Sequence, residues 1–174
     1  MKHKLLLLYS WFVRTLLIWL PDVPFIMRFR GWLYGLGMKS CGKNFQVAHS
    51  ASLQGVENFI VGHNAYLANQ VIVLASTTIY IEDEVMVAPN SVLVTGNHTL
   101  HNGTFRYASA PASSICLRKG AWVAANCTVL AGAILPEGSV LSANSCLHSM
   151  KDEMKMQKYS LYGGNPARFI KSIL

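Results

Sequence analysis

Residues 121–145 read AWVAANCTVLAGAILPEGSVLSANS, and within them Val123, Val129, Leu135 and Leu141 stand six residues apart. The same interval marks Cys41, Val47 and Leu53, then Val61, Leu67 and Val73, then Ile81, Val87 and Leu93. Leu117 opens the set that contains Val123, and Leu147 closes the last one. Fourteen of these fifteen positions hold Val, Ile or Leu, types that make up only about a quarter of the chain. A period of six matches neither an α-helix at 3.6 residues nor a flat strand at two. It suits a three-sided coil of eighteen residues, each side a short strand and a turn, with the aliphatic side chain inside. Four residues after most slots the side chain is small or β-branched, as at Ala65, Val71, Ser91, Ala121 and Ala133, which fits a tight corner. Gly62-His63-Asn64, Pro89-Asn90 and Pro136-Glu137-Gly138 supply turn residues between the sides. The expected fold class is all-β, a parallel β-helix of about five coils whose backbone groups bond to the coils above and below. The period does not give its hand, because parallel crossovers are normally right-handed.

The remaining composition narrows the function classes. The 174 residues are 52% hydrophobic and 13% charged, which excludes a disordered chain and fits one domain with a sizeable core. A net charge of +7 raises the question of a polyanionic partner. No zinc-finger spacing or RNA-recognition signature accompanies the scattered basic residues, so nucleic acid is not expected, and a membrane surface or a phosphate-bearing cofactor fits better. Cys41, Cys116, Cys127 and Cys146 form no C-x-x-C pair and read as reduced thiols of a cytosolic protein.

The N-terminus stands apart. Leu5 to Leu20 (LLLLYSWFVRTLLIWL) is almost wholly apolar, with Lys2 and Lys4 before it and Arg28 and Arg30 after it. Arg14 interrupts it and no small-residue cleavage site follows, unlike a secretory signal. As a helix it reaches roughly 24 Å, short of the ~30 Å hydrocarbon core. Two readings stay open: a helix lying in the membrane interface, or one buried against the rest of the protein. Pro21 and Pro24 end this segment, and Phe25 to Tyr34 reads as a second short helix. The division is then an apolar, basic helical segment over 1–38, the β-helix over 39–149 with an excursion loop at 97–114, and a C-terminal segment with a short helix over 150–174.

From Cys41 to Leu174 the chain resembles the hexapeptide-repeat acyltransferases, and within them the sugar O-acetyltransferases that include the galactoside, maltose and bacterial polysaccharide enzymes. The likeness is carried by VMVAPNSVLVTGNH (85–98), by residues 121–145 and by GGNPARFIKSI (163–173), and RGWLYGLGMKSCGKN (30–44) resembles the polysaccharide type. The resemblance implies a left-handed coil, a homotrimer with sites between subunits, and acetyl-CoA as acyl donor, with no metal. The protein is expected in the cytoplasm, and the apolar, basic composition of residues 1–35 leaves open a peripheral contact at the inner face of the cytoplasmic membrane.

The site residues follow from the break in the repeat and from that likeness. The step of 24 residues from Leu93 to Leu117 leaves an excursion, NHTLHNGTFRYASAPASS, and loops of that length on a regular scaffold are commonly functional. His98 stands at its root, and an imidazole takes up a proton near neutral pH as a hydroxyl attacks a thioester. No Ser or Cys lies in a nucleophile-elbow context, so direct attack without an acyl-enzyme is expected, with the His98 ring oriented by a backbone carbonyl. The resemblance makes His98 the general base, Asn69 the oxyanion donor, and Trp122 a residue beside the thioester and acceptor. It places Ala125 and Ala143 along the pantetheine, Arg168 and Lys171 at the CoA phosphates, and Arg106 on a saccharide acceptor. The acidic acceptor residue of galactoside-type relatives is absent from LAST (74–77). A competing reading is N-acylation of an amino-sugar nucleotide. A third is a metal site or bare scaffold, for which zinc requires about three convergent ligands, more than His98 and His101 supply.

Overall fold

A computed structural model describes residues 2–149 and 156–174. The chain begins with two helices, α1 (Lys2–Leu17) and α2 (Pro24–Gly35), and then winds into a left-handed parallel β-helix of triangular section. The first face stacks Ser40–Cys41, Phe59–Val61, Ile79–Ile81, Ile115–Leu117 and Ile134–Leu135. The second stacks Gln46–Val47, Tyr66–Leu67, Met86–Val87, Trp122–Val123 and Val140–Leu141, and the third Ser52–Gln54, Ile72–Leu74, Val92–Val94, Thr128–Val129 and Cys146–Leu147. Five coils are complete, and Ser160–Gly164 begins a sixth on the second face.

The six-residue period is the packing rule of the interior. All fourteen aliphatic slots are buried at 2% exposure or less, and Cys41 in the first coil is half-buried. Small side chains two positions before the slots fill the corners entering the second and third faces, among them Ala51, Ala65, Val71, Ala121 and Cys127. The first face differs. In its second, third and fourth coils the step from the third face is longer, and Phe59, Ile79 and Ile115 occupy the position two before the slot, fully buried, whereas the fifth coil keeps the step of six and has Ala133 there. Thr77, four residues after the Val73 slot, is only half-buried, because the inward position of that turn passes to Ile79.

Corner residues adopt left-handed backbone, which Asn and Gly tolerate best. Asn44, Asn64, Gly120 and Gly138 do so between the first and second faces, and Asn90, Asn126 and Asn144 between the second and third.

The helices close the first coil. Met27, Arg30, Gly31 and Tyr34 are the buried side of α2, packed on Gln46–Val47. Val13 and Leu17 of α1 join the same core. At the other end the expected C-terminal helix is instead a β-hairpin, Ser160–Gly164 with Ala167–Ser172. The physical reason is the open edge left by Val140–Leu141, whose unpaired backbone groups this hairpin covers, with Ser142 N–H donating to the Tyr162 carbonyl at 2.8 Å. Gly164, at φ +101°, and Pro166 break any helix there.

Candidate active site

The excursion is a hairpin arm, more ordered than a loop. Asn97–His98 pairs antiparallel with Ser109–Ala110, Thr99 bonds to Ala108, and His101 pairs with Thr104 across a tip at Asn102-Gly103. Both tip residues have positive φ, the requirement of a two-residue type I′ turn, which Asn-Gly meets. The arm leaves the prism between the third and first faces, where Ser113 N–H returns to the Thr95 carbonyl at 3.1 Å. His98 lies at its root, exposed, facing Ser109 in the pairing. Its ring has no hydrogen bond to a described residue, so the carbonyl partner expected for it is not met among the described residues.

Asn69 lies on a different edge, between the second and third faces. Above it the corner continues through Pro89, Ala125 and Ala143, joined by Asn90 N–H to the Asn69 carbonyl, Asn126 N–H to Pro89 and Asn144 N–H to Ala125, each within 3.1 Å. Asn69 and Ala125 are half-buried and Ala143 is exposed. Arg168 stands just past the terminal hairpin turn, where Gly164 N–H donates to Ser145 Oγ at 3.0 Å. It is exposed and approaches His148 Nε2 at 3.2 Å. Lys171 is exposed on the same outer strand. Ala125, Ala143 and Arg168 thus climb one edge of the prism, as a long ligand with a phosphate end requires.

Trp122 points outward from the second face, 42% exposed, between Met86 and Val140 in the ladder. Arg106 is exposed on the arm, its guanidinium 5.6 Å from the Tyr107 ring centre. One chain therefore gathers the corner residues and leaves His98 and Arg106 apart from them. Crossing the third face from the Asn69 edge to the arm takes six or so residues, on the order of 15–20 Å in extended chain.

The sequence reading missed the setting of Asn69. Asn69 Nδ2 donates to Asp22 Oδ2 at 2.9 Å, and the same carboxylate accepts from the His49 backbone N–H at 2.8 Å and contacts His49 Nδ1 at 2.7 Å. Arg30, with no exposed surface, donates to Asp22 at 3.0 Å and to the Val47 carbonyl at 2.6 Å. Partial burial raises the Asp22 pKa, and the hydrogen bonds from His49 and Asn69 outweigh it, leaving the carboxyl below its ordinary value. Burial pushes the Cys41 and Cys127 thiols up, so neither is a ready nucleophile. Among the described residues no three His, Cys, Asp or Glu side chains converge as metal ligands.

The architecture has clear counterparts. A galactoside acetyltransferase solved in complex with coenzyme A superposes with a TM-score of 0.81 at 20% identity, over 98% of this chain and 82% of that one. This chain has the hexapeptide-repeat acetyltransferase fold. A maltose O-acetyltransferase from Clostridium difficile 630 matches it with a TM-score of 0.79 and 23% identity, over 98% of this chain and 89% of its own. In sequence, 50 residues are 38% identical to a probable macrolide acetyltransferase of Lysinibacillus sphaericus, covering 29% of this chain and only 25% of that relative. No family model matches the sequence. At these identities the hexapeptide-repeat likeness describes the scaffold, and the chemistry rests on the residues placed upon it.

Proposed function

We propose that this protein is an O-acetyltransferase that moves an acetyl group from acetyl-CoA to a hydroxyl of a sugar, in a polysaccharide, lipid-linked glycan or related saccharide, within the cytoplasm. One observation carries the reading: an exposed imidazole stands at the root of an arm that interrupts an otherwise regular coil. In the reaction the sugar oxygen attacks the thioester carbonyl while His98 takes its proton. The tetrahedral intermediate collapses, the C–S bond breaks, and the proton on His98 passes to the departing CoA thiolate. Asn69 or a corner N–H steadies the oxyanion. Ala125 and Ala143 line the pantetheine, and Arg168 and Lys171 meet the phosphates. Trp122 and Arg106 border the acceptor. A homotrimer supplies the arm of one subunit to the corner of the next, and this joins the two halves that a single chain holds apart.

The test is CoA release from acetyl-CoA with a panel of glycans and a macrolide, for wild type and His98→Ala. His98→Ala is expected to lose on the order of 10² to 10⁴ in rate, the usual contribution of a positioned base. Equal rates in the two proteins remove His98 from the chemistry, and no release with any acceptor removes the transferase reading. Mild alkali separates the ester from the amide that N-acylation of an amino-sugar nucleotide would leave.

A further inference from the structure

The outer surface of the two N-terminal helices is unlike the rest of the molecule. On α1, Leu5, Leu8, Phe12 and Leu16 follow one another at intervals of three and four and are all more than half exposed, and Trp19 just beyond is 88% exposed. Along α2, Phe25, Phe29 and Trp32 repeat the spacing, with Leu36 just beyond its end, and Phe29 and Trp32 stack at 5.8 Å. On α2 this is the side opposite Met27, Arg30, Gly31 and Tyr34, and on α1 it flanks the side that packs through Val13 and Leu17. With full side-chain areas of roughly 150–250 Å² for the aromatics, the two stripes expose on the order of 1,000 Å² of apolar surface, more than a monomer ordinarily leaves in water.

The charge around the stripes says what covers them. Residues 1–45 carry seven Lys and Arg against Asp22 alone, whereas residues 46–174 carry eight against seven, so nearly all of the chain's +7 belongs to the helical end. Asp22 is turned inward onto Arg30, His49 and Asn69 and neutralises nothing outside. A second copy docked here would bring two such positive ends together. No helix among the described residues is long and apolar enough to cross a bilayer.

We propose that α1 and α2 form a platform that lies in the interface of an anionic lipid membrane, with the aromatic stripes among the acyl chains and the basic residues against the headgroups. Three of the four tryptophans, Trp11, Trp19 and Trp32, belong to this segment, as suits an interfacial position. Arg30, buried on the opposite side of α2 and bonded to the Val47 and Leu20 carbonyls, keeps the stripe from rolling into the core. Through Asp22 the same platform is bonded to Asn69, so lipid docking holds the candidate site at a set height above the membrane. The docking does not rest on the acyl-transfer reading.

The experiment is flotation of the full chain with phosphatidylcholine vesicles, with and without phosphatidylglycerol, followed by tryptophan fluorescence. The chain is expected to float with the anionic vesicles, less so at high salt, and its emission to shift to the blue. Trp19→Ser with Phe25→Ser, both exposed and outside the core, is expected to lower the bound fraction roughly tenfold or more. Arg28→Glu is expected to weaken binding to the anionic vesicles alone. A chain that stays unbound with every vesicle, or stripe variants that change the sedimenting mass and leave flotation untouched, would overturn the proposal. The second result would assign the stripes to contacts between copies.

Discussion

Asp22 concentrates more of the molecule's order than any side chain the sequence reading singled out. It stands between α1 and α2, receives Arg30 from one side, and holds His49 and Asn69 of the first two corners on the other. Removing one partner of a pair whose other member is buried leaves that charge without compensation. Asp22→Asn is expected to cost about 3 kcal/mol at pH 7, the low end for such pairs because the carboxylate is 20% exposed. The pH dependence has a definite sign. A carboxyl whose folded pKa lies below its unfolded value contributes fully above the unfolded value, near 3.9, and loses that contribution as pH falls through the folded one. Urea midpoints should therefore separate the wild type from Asp22→Asn by a constant amount between pH 5 and 7, and converge below about pH 4. A gap that persists into acid would mean that the stabilisation does not come from the ionised carboxylate. None of this was legible in the sequence. Asp22, Arg30, His49 and Asn69 share no spacing, and only the seating of the helices on the first coil brings them together.

The coils themselves were legible because burial acts on every sixth residue within a coil, and the structure buries all fourteen aliphatic slots. The arm carried its own signal in Asn102-Gly103, a hairpin turn dipeptide that the length of the excursion obscured. The terminal hairpin had a turn signal in Gly163-Gly164-Asn165-Pro166, but its pairing is dictated by the edge it covers. Corner conformation was legible only in part. Asn and Gly announce left-handed backbone, but Gln70, Glu84 and Tyr159 adopt it too, forced by the stack around them. The helix-to-coil seam depends on a single missing side chain. A Cβ on Gly31 would stand 2.0 Å from the Phe45 carbonyl oxygen, which is backbone and cannot step aside. Gly31→Ala is expected to lower stability by about 2–3 kcal/mol despite alanine's better helix propensity, read as a shifted denaturation midpoint. A neutral or stabilising result would show that α2 lifts off the coil at little cost, and would weaken the case for a rigid platform.

At the level of the assembled protein, the proposed reaction makes a demand that one chain does not meet, because it holds His98 apart from the Asn69 corner. A head-to-tail ring meets it, because each contact then pairs the arm of one copy with the corner of the next. The outward ladder Tyr66, Met86, Trp122 and Val140 offers apolar surface on the prism for such a contact. The wild type should then sediment at about three times the 19.2 kDa chain. The decisive measurement mixes His98→Ala and Asn69→Ala by co-expression, each expected to be inactive alone where Asn69 is the oxyanion donor. Separately each has every site broken. In a trimer containing both, one of the three contacts joins an intact His98 to an intact Asn69. Random assembly from equal amounts makes about three quarters of the trimers mixed, so about a quarter of wild-type activity should return. If both halves of the site belonged to the same chain, every site in every mixture would carry one lesion, and activity would stay at the level of the separate variants.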